Sequence, residues 1–120
     1  MAKILTVDDS KVIRDLVTAV LIQNGHEVVT ANDGIEGLSA TRNKQFDMIL
    51  SDINMPNMTG ISMVSKVRRL EGYEYTPIIM LTTESSNFKK EKAKKMGATG
   101  WLQKPFDPDR LMKAVNKLIC

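Results

Sequence analysis

Cysteine and histidine are almost absent from this sequence of 120 residues. The one cysteine is Cys120 and the one histidine is His26, so we expect neither a disulfide framework nor a metal site built from these side chains. No apolar run reaches the roughly 18 residues that a membrane span needs. The first residues reach Asp8 without the apolar segment of a signal peptide. We therefore expect a cytoplasmic protein that does not insert into the membrane.

The composition is that of an ordinary folded protein, with 42% hydrophobic and 26% charged residues. At about 100–150 residues per domain, the length predicts a single domain over residues 1–120. The net charge is +3, and the segment from Lys89 to Lys95 contains five lysines. Such a run is typical of a solvated helix face, so we expect no binding to nucleic acid.

Short apolar segments alternate with longer amphipathic segments along the whole chain. Strands are predicted at Ile4–Val7, Glu27–Ala31, Asp47–Ser51, Pro77–Thr82 and Gly100–Gln103. Helices are predicted at Lys11–Asn24, Ile35–Asn43, Ile61–Leu70, a lysine-rich segment that stops at Gly97, and Pro108–Ile119. Five strand–helix units of this kind predict an α/β fold, a doubly wound (βα)5 structure with a five-stranded parallel sheet.

Several residues indicate where the helices begin and end. Ser10 and Asp107 precede helical patterns and are favoured N-cap residues, and Pro108 suits the first helical position. Gly25 follows the first helix, where a left-handed backbone favours glycine.

Polar side chains stand at the carboxyl ends of four predicted strands, in the order Asp8 and Asp9, Asp52, Thr82 and Thr83, and Lys104. In a parallel sheet these ends meet at one edge. Three carboxylates placed together repel one another and favour a bound cation, and their oxygen ligands favour Mg²⁺ or Mn²⁺. A lysine and a threonine hydroxyl suit phosphate oxygens. The pattern therefore predicts phosphoryl transfer to a carboxylate nucleophile.

These residues also carry a resemblance to a known family. The sequence resembles the receiver domain of two-component response regulators, in its stand-alone CheY-like form, through Val7-Asp8-Asp9-Ser10, Asp52-x-x-Met55-Pro56-x-x-x-Gly60, Leu81-Thr82, Gly97-Ala98 and Lys104-Pro105-Phe106. The resemblance covers essentially the whole chain. It implies the flavodoxin-like strand order 2-1-3-4-5, an order known for this family.

The resemblance implies a role for each acid. Asp52 would be the phosphoacceptor and would take the phosphoryl group from a phosphohistidine on a partner histidine kinase. Asp9, Asp52 and the backbone carbonyl of Asn54 would ligate Mg²⁺, with Asp8 acting mainly through water. Lys104 would pair with a phosphoryl oxygen, and its bond to the next proline would be cis.

The resemblance also implies a switch. Thr82 would move towards the phosphoryl group, and Trp101 would rotate inward, where the family usually has tyrosine or phenylalanine. The face made by the fourth helix, fifth strand and fifth helix would then change shape for an unidentified downstream protein. Tryptophan is larger than tyrosine and lacks its hydroxyl, which argues against flagellar-motor binding of the best-known kind.

Other positions imply how fast the phosphoryl group is gained and lost. Asn54 and Glu84 stand where the family tunes the attack of water on the phosphoaspartate, so we expect autodephosphorylation. Thr83 stands where the family usually has alanine or glycine, and we expect its branched side chain to narrow access to Asp52. We expect a monomer, with no enzymatic activity besides its own phosphorylation and dephosphorylation.

Alternative functions remain open at this point. A small Mg²⁺-dependent aspartyl-phosphate phosphatase would use the same nucleophile, although it normally needs an acid where Asn54 stands. The chain could also serve as a phosphorelay intermediate or a phosphate sink, rather than in a chemotaxis-type pathway. A nucleic-acid module on the lysine-rich helix and a flavin-binding flavodoxin are further alternatives.

Overall fold

A computed structural model describes residues 1–83 and 87–119. Within them, five strands alternate with five helices. The strands are β1 (Lys3–Val7), β2 (Glu27–Ala31), β3 (Met48–Ser51), β4 (Ile78–Thr82) and β5 (Gly100–Gln103), and the helices are α1 (Lys11–Gln23), α2 (Gly34–Asn43), α3 (Gly60–Val67), α4 (Asn87–Met96) and α5 (Pro108–Leu118). Over the same residues, no helix combines the length and apolar character that a bilayer span requires.

The strands form one parallel sheet in the order β2-β1-β3-β4-β5. The predicted fold class and strand order are both confirmed. The chain leaves β1 for one edge of the sheet and returns to place β3 on the other side of β1. Strand order therefore reverses between β1 and β3, which is where open α/β sheets form a ligand crevice at the carboxyl ends of their strands.

Helices cover both faces of the sheet. Leu5 and Val7 point to the face packed by α2, α3 and α4, whereas Ile4 points to the face packed by α1 and α5. Because both faces are buried, β3 and β4 are buried at every position. Such continuously buried, mostly apolar strands are typical of parallel sheets, and burial of apolar surface is the dominant favourable contribution to folding.

The helix signals in the sequence are confirmed. Ser10 Oγ accepts a hydrogen bond from Ile13 N at 3.3 Å, and Asp107 Oδ1 accepts one from Arg110 N at 2.8 Å. Each satisfies a backbone donor that the first helical turn leaves unpaired. Gly25 has a φ of +87°, the left-handed backbone that glycine adopts without strain.

A few element ends differ from the predicted ones. The third helix ends at Val67 rather than at Leu70, because the chain tightens into turns in which Leu70 N donates to Val67 O at 2.9 Å. The third strand starts after Asp47, whose carboxylate accepts a hydrogen bond from Lys3 N at 2.8 Å. The fourth strand starts after Pro77, which has no N–H to donate to a neighbouring strand.

Candidate functional site

Three carboxylates meet at the point where strand order reverses. Asp8 and Asp9 follow β1 and Asp52 follows β3, and these strands are paired up to their last residues, Val7 and Ser51. One carboxylate oxygen from each of the three acids lies within 4.8 Å of the others. Asp8 and Asp52 are buried, whereas Asp9 is exposed. Hard oxygen ligands in this number suit a Mg²⁺ ion, and the open side at Asp9 leaves room for its waters.

The carboxylate of Asp52 lies in an environment that opposes its charge. Burial raises its pKa above the ordinary value, the Lys104 ammonium counteracts part of that rise, and the nearby Asp8 charge adds to it. Its Oδ1 accepts a hydrogen bond from Ile53 N at 2.8 Å, which holds the group in one orientation. A cation beside this carboxylate would favour the charged, nucleophilic form.

Lys104 brings a positive charge to the acids from the far strand of the sheet. It follows β5, and its peptide bond to Pro105 is cis, as the resemblance implied. Its Nζ donates to Asp8 Oδ2 at 2.6 Å and lies 3.5 Å from Asp52 Oδ2. Both distances place the ammonium within reach of any anionic group carried by Asp52.

Thr82 lies at the end of β4, beside Asp52. Its side chain is fully buried, and its hydroxyl makes a hydrogen bond to Asp52 that lowers the pKa of this carboxyl. The neighbouring Thr83 is exposed. The structure therefore brings together the side chains that were predicted at the ends of four strands, which are Asp8, Asp9, Asp52, Thr82 and Lys104.

The loop between β3 and α3 is shaped by backbone geometry. A Cβ on Gly60 would lie 1.9 Å from the Asp52 carbonyl oxygen, so only glycine allows the loop to fold back against the end of β3. Asn54 lies in this loop with an exposed side chain, and its Oδ1 is 3.4 Å from Lys89 Nζ on α4.

The sequence interpretation missed a residue that braces this loop. Asp33 caps α2 through a 2.9 Å hydrogen bond from Glu36 N, and its other oxygen accepts from Asn57 Nδ2 at 2.7 Å. These bonds, led by the one from Glu36 N, lower the pKa of Asp33. The Asn-Asp-Gly sequence indicated a turn and the start of a helix, but no pattern in the sequence indicated the partner, Asn57, which has a φ of +69°.

Trp101 lies apart from the carboxylates, within β5. It pairs with Met80, two residues before Thr82 on the neighbouring strand. Its ring is half-buried, with Lys90 Nζ 5.3 Å from the ring centroid, and its buried Nε1 has no hydrogen-bond partner among the described residues. The indole borders a groove of about 450 Å³ against α5 and one of about 200 Å³ against α4. The remaining predicted tuning residue, Glu84, lies outside the described residues.

The sequence matches the response regulator receiver domain family over residues 4–116. The chain therefore belongs to this family, as its motifs indicated.

Some relatives have about the same length as this chain, and others are longer. The chain is 36% identical over 119 residues to a chemotaxis protein CheY homolog of Campylobacter jejuni, covering 98% of this chain and 92% of the relative. It is 34% identical to the protein PilH of Pseudomonas aeruginosa, covering 99% and 98%. It is also 34% identical to a probable transcriptional regulator, ycf29, of Pyropia yezoensis, but spans only 53% of that protein's length.

Solved structures agree with this placement. The chemotaxis response regulator CheY4 of Vibrio cholerae is 50% identical, with a TM-score of 0.95 over 99% of both chains. The receiver domain of the sensor histidine kinase PA1611 from Pseudomonas aeruginosa is 28% identical, with a TM-score of 0.90 over 98% of this chain and 96% of that one. It was solved with a magnesium ion coordinated in its active-site cleft. The fold is thus that of CheY-like response regulators.

Proposed function

We propose that this protein is a single-domain response regulator, formed by residues 1–120, that accepts a phosphoryl group on Asp52 from a histidine kinase. Receiver domains as a family receive phosphoryl groups from such kinases. The observation that carries the proposal is the gathering of Asp8, Asp9, Thr82 and Lys104 around one buried carboxylate. Its chemotaxis-type relatives favour a chemotaxis-type or related two-component pathway.

The chain's own side chains supply the chemistry of transfer. A carboxylate oxygen of Asp52 attacks the phosphorus of the phosphohistidine and forms a P–O bond. The electron pair of the breaking P–N bond goes to the imidazole nitrogen, which takes a proton from solvent. Lys104 and Thr82 both contact Asp52 already, so they are placed to hold the phosphoryl oxygens as charge moves between them.

The donor set fits a divalent cation, because it offers carboxylate oxygens without nitrogen or sulfur. Asp9, Asp52 and the Asn54 backbone carbonyl would hold Mg²⁺, or Mn²⁺ in its place, with Asp8 acting through water. The ion would offset negative charge on the phosphoryl oxygens during transfer. The magnesium in the related PA1611 receiver domain supports this assignment.

The output would follow from movement of Thr82 and Trp101. A phosphoryl group on Asp52 would draw the Thr82 hydroxyl towards itself. This movement would leave space behind the Thr82 side chain. Surface grooves border the indole on the α4 and α5 sides, and inward rotation of the ring would reshape the face formed by α4, β5 and α5. A downstream protein that prefers the new shape would shift the equilibrium further.

Several properties complete the proposal. Asn54 and Glu84 would set the rate at which water removes the phosphoryl group. The protein would act as a cytoplasmic monomer, without nucleic acid. Two of the α4 lysines already make contacts within the chain, Lys89 with Asn54 and Lys90 with Trp101, which argues against a basic binding surface there.

Phosphorylation by a small donor tests the proposal. Acetyl phosphate with Mg²⁺ should add one phosphoryl group by intact mass, and Asp52→Asn should abolish it. Asp15→Asn is the matched control, since Asp15 is exposed and its 2.7 Å ion pair with Lys11 lies on the surface. Labelling of Asp52→Asn would overturn the assignment. Steady turnover of p-nitrophenyl phosphate would support the phosphatase alternative instead.

A further inference from the structure

We propose that Lys89 is a positioning residue that holds the Asn54 side chain and thereby prolongs the phosphorylated state. The inference rests on the proposed function, since it concerns loss of the phosphoryl group from Asp52. Lys89 lies in the first turn of α4, 35 residues from Asn54 in sequence, and its Nζ lies 3.4 Å from Asn54 Oδ1. Nothing in the lysine-rich pattern of this helix predicts the contact.

Both residues line the same surface groove. The groove lies between α3 and α4 and has a volume of about 380 Å³. Asn54 is exposed and Lys89 is half-buried, so the amide faces solvent while the lysine is partly fixed by packing. The charged side chains in the described lining are both lysines, Lys89 and Lys92, and Asn54 is two residues from the proposed phosphoacceptor.

The chemistry of hydrolysis shows what the contact does. A water oxygen attacks phosphorus, the bond between phosphorus and the Asp52 oxygen breaks, and its electron pair returns to the carboxylate. The attacking water loses a proton to solvent. An amide oxygen that accepts a hydrogen bond from this water helps to align it for attack. Lys89 competes with water for that oxygen, because its ammonium is a donor with no acceptor capacity.

The expected effect is moderate. An amide oxygen has two lone pairs, and the 3.4 Å between Lys89 Nζ and Asn54 Oδ1 is longer than the usual distance of about 2.7–3.2 Å in an N–H···O hydrogen bond. Lys89 therefore hinders the alignment of water without preventing it. Removing the ammonium should accelerate loss of the phosphoryl group on the order of fivefold, which corresponds to about 1 kcal/mol in the barrier.

The direct test measures decay of the phosphorylated protein. Wild type, Lys89→Met, Lys89→Arg and Lys92→Met are loaded with acetyl phosphate, desalted, and followed by intact mass at fixed Mg²⁺. Lys89→Met should decay about fivefold faster, while Lys89→Arg, which keeps a charged donor, should decay at the wild-type rate. Lys92→Met removes an equal charge from the same groove and should leave the rate unchanged. Equal decay of wild type and Lys89→Met overturns the proposal.

A double-mutant cycle separates positioning of Asn54 from a general charge effect. Asn54→Ala keeps the backbone carbonyl proposed for the metal but removes the amide. Lys89→Met should then produce no further acceleration, and a full fivefold effect in this background would overturn the role of Asn54. Thermal unfolding of each variant checks folding, and Lys89→Leu, which also lacks a donor, replaces Lys89→Met if the latter unfolds. Failure of Asp52→Asn to abolish labelling would instead contradict the proposed function, so the two failures are distinguishable.

Discussion

The ammonium of Lys104 donates to Asp8 Oδ2 at 2.6 Å, although the two residues are 96 positions apart and two strands lie between theirs in the sheet. The side chain of Asp8 is 1% exposed and that of Lys104 is 11% exposed, so the pair is largely shielded from solvent. The same ammonium lies farther from Asp52, at 3.5 Å. A phosphoryl group on Asp52 would therefore compete with Asp8 for Lys104, and phosphorylation would weaken one contact as it strengthens another.

Replacing Lys104 should separate metal binding from signalling. The Lys104 ammonium repels Mg²⁺ and lowers the pKa of Asp52. Lys104→Met removes both effects. We expect Mg²⁺ to bind about tenfold more tightly at neutral pH, measured by calorimetry, while the Trp101 response to beryllofluoride is lost. Lys66→Met, on the exposed face of α3, is the control for a change in net charge. A full Trp101 response in Lys104→Met would count against a phosphoryl contact.

The stability of the metal-free protein should depend on the ionisation of Asp52. Because burial raises the pKa of this carboxyl in the folded protein, its ionised form destabilises the fold relative to the unfolded chain. That cost is absent below the unfolded pKa, near 3.8, and develops as pH rises through the higher folded pKa. Asp52→Asn should therefore have a higher Tm than wild type at pH 7 in EDTA.

The pH series and metal addition provide the checks on this prediction. The Tm advantage of Asp52→Asn should shrink as pH falls towards 4, and Mg²⁺ should raise the Tm of wild type more than that of the variant. Equal Tm values for the two proteins across this range would show that Asp52 is not destabilised by burial.

The sequence was sufficient to predict the fold and the gathering of the acids. The alternation of apolar strands with capped helices is compatible with few folds, and the family resemblance supplied the strand order. Parallel strands then had to bring Asp8, Asp9 and Asp52 to one edge. These predictions depend on backbone topology, which hydrophobic pattern and turn residues largely determine.

Contacts between loops and helices were beyond the sequence interpretation. The bond from Asn57 to Asp33 depends on a left-handed backbone at Asn57, and the contact from Lys89 to Asn54 depends on how α4 is placed against the loop after β3. Neither follows from hydrophobic periodicity. Such contacts arise from side-chain packing in three dimensions, where many pairings are compatible with one pattern.

Glycine at position 60 should be essential for the geometry of the site. A Cβ there would lie 1.9 Å from the Asp52 carbonyl oxygen and 2.9 Å from its carbonyl carbon, so the backbone after β3 would have to move. We expect Gly60→Ala to lower the free energy of unfolding by about 3 kcal/mol and to slow labelling by acetyl phosphate. Chemical denaturation and intact mass measure the two effects.

Gly100→Ala provides the matched control. A Cβ on Gly100 would make ordinary contacts, with Ile79 at 3.7 Å and Leu118 at 4.0 Å, so this variant should stay within about 1 kcal/mol of wild type and label normally. If Gly60→Ala behaves like Gly100→Ala, the loop does not require the close approach that glycine permits.

The single tryptophan offers a direct probe of the proposed switch. Lys90 Nζ lies over the Trp101 ring, 5.3 Å from its centroid, and the buried Trp101 Nε1 has no hydrogen-bond partner among the described residues. A cation over an indole face is worth about 0.5–1 kcal/mol at a partly exposed site, which biases the ring towards its present position. Beryllofluoride with Mg²⁺ should shift or quench the emission of Trp101 if the ring leaves this environment.

Lys90→Met should make that transition easier. Without the ammonium, the ring loses one contact that holds it in place, so half of the fluorescence change should require about two- to fivefold less beryllofluoride at fixed Mg²⁺. Lys94→Met borders the same α4 groove and serves as the charge control, for which we expect the wild-type midpoint. An emission spectrum that does not respond in any of the three proteins would mean that Trp101 keeps its position when the acceptor site is filled, and the output face would then have to change without it.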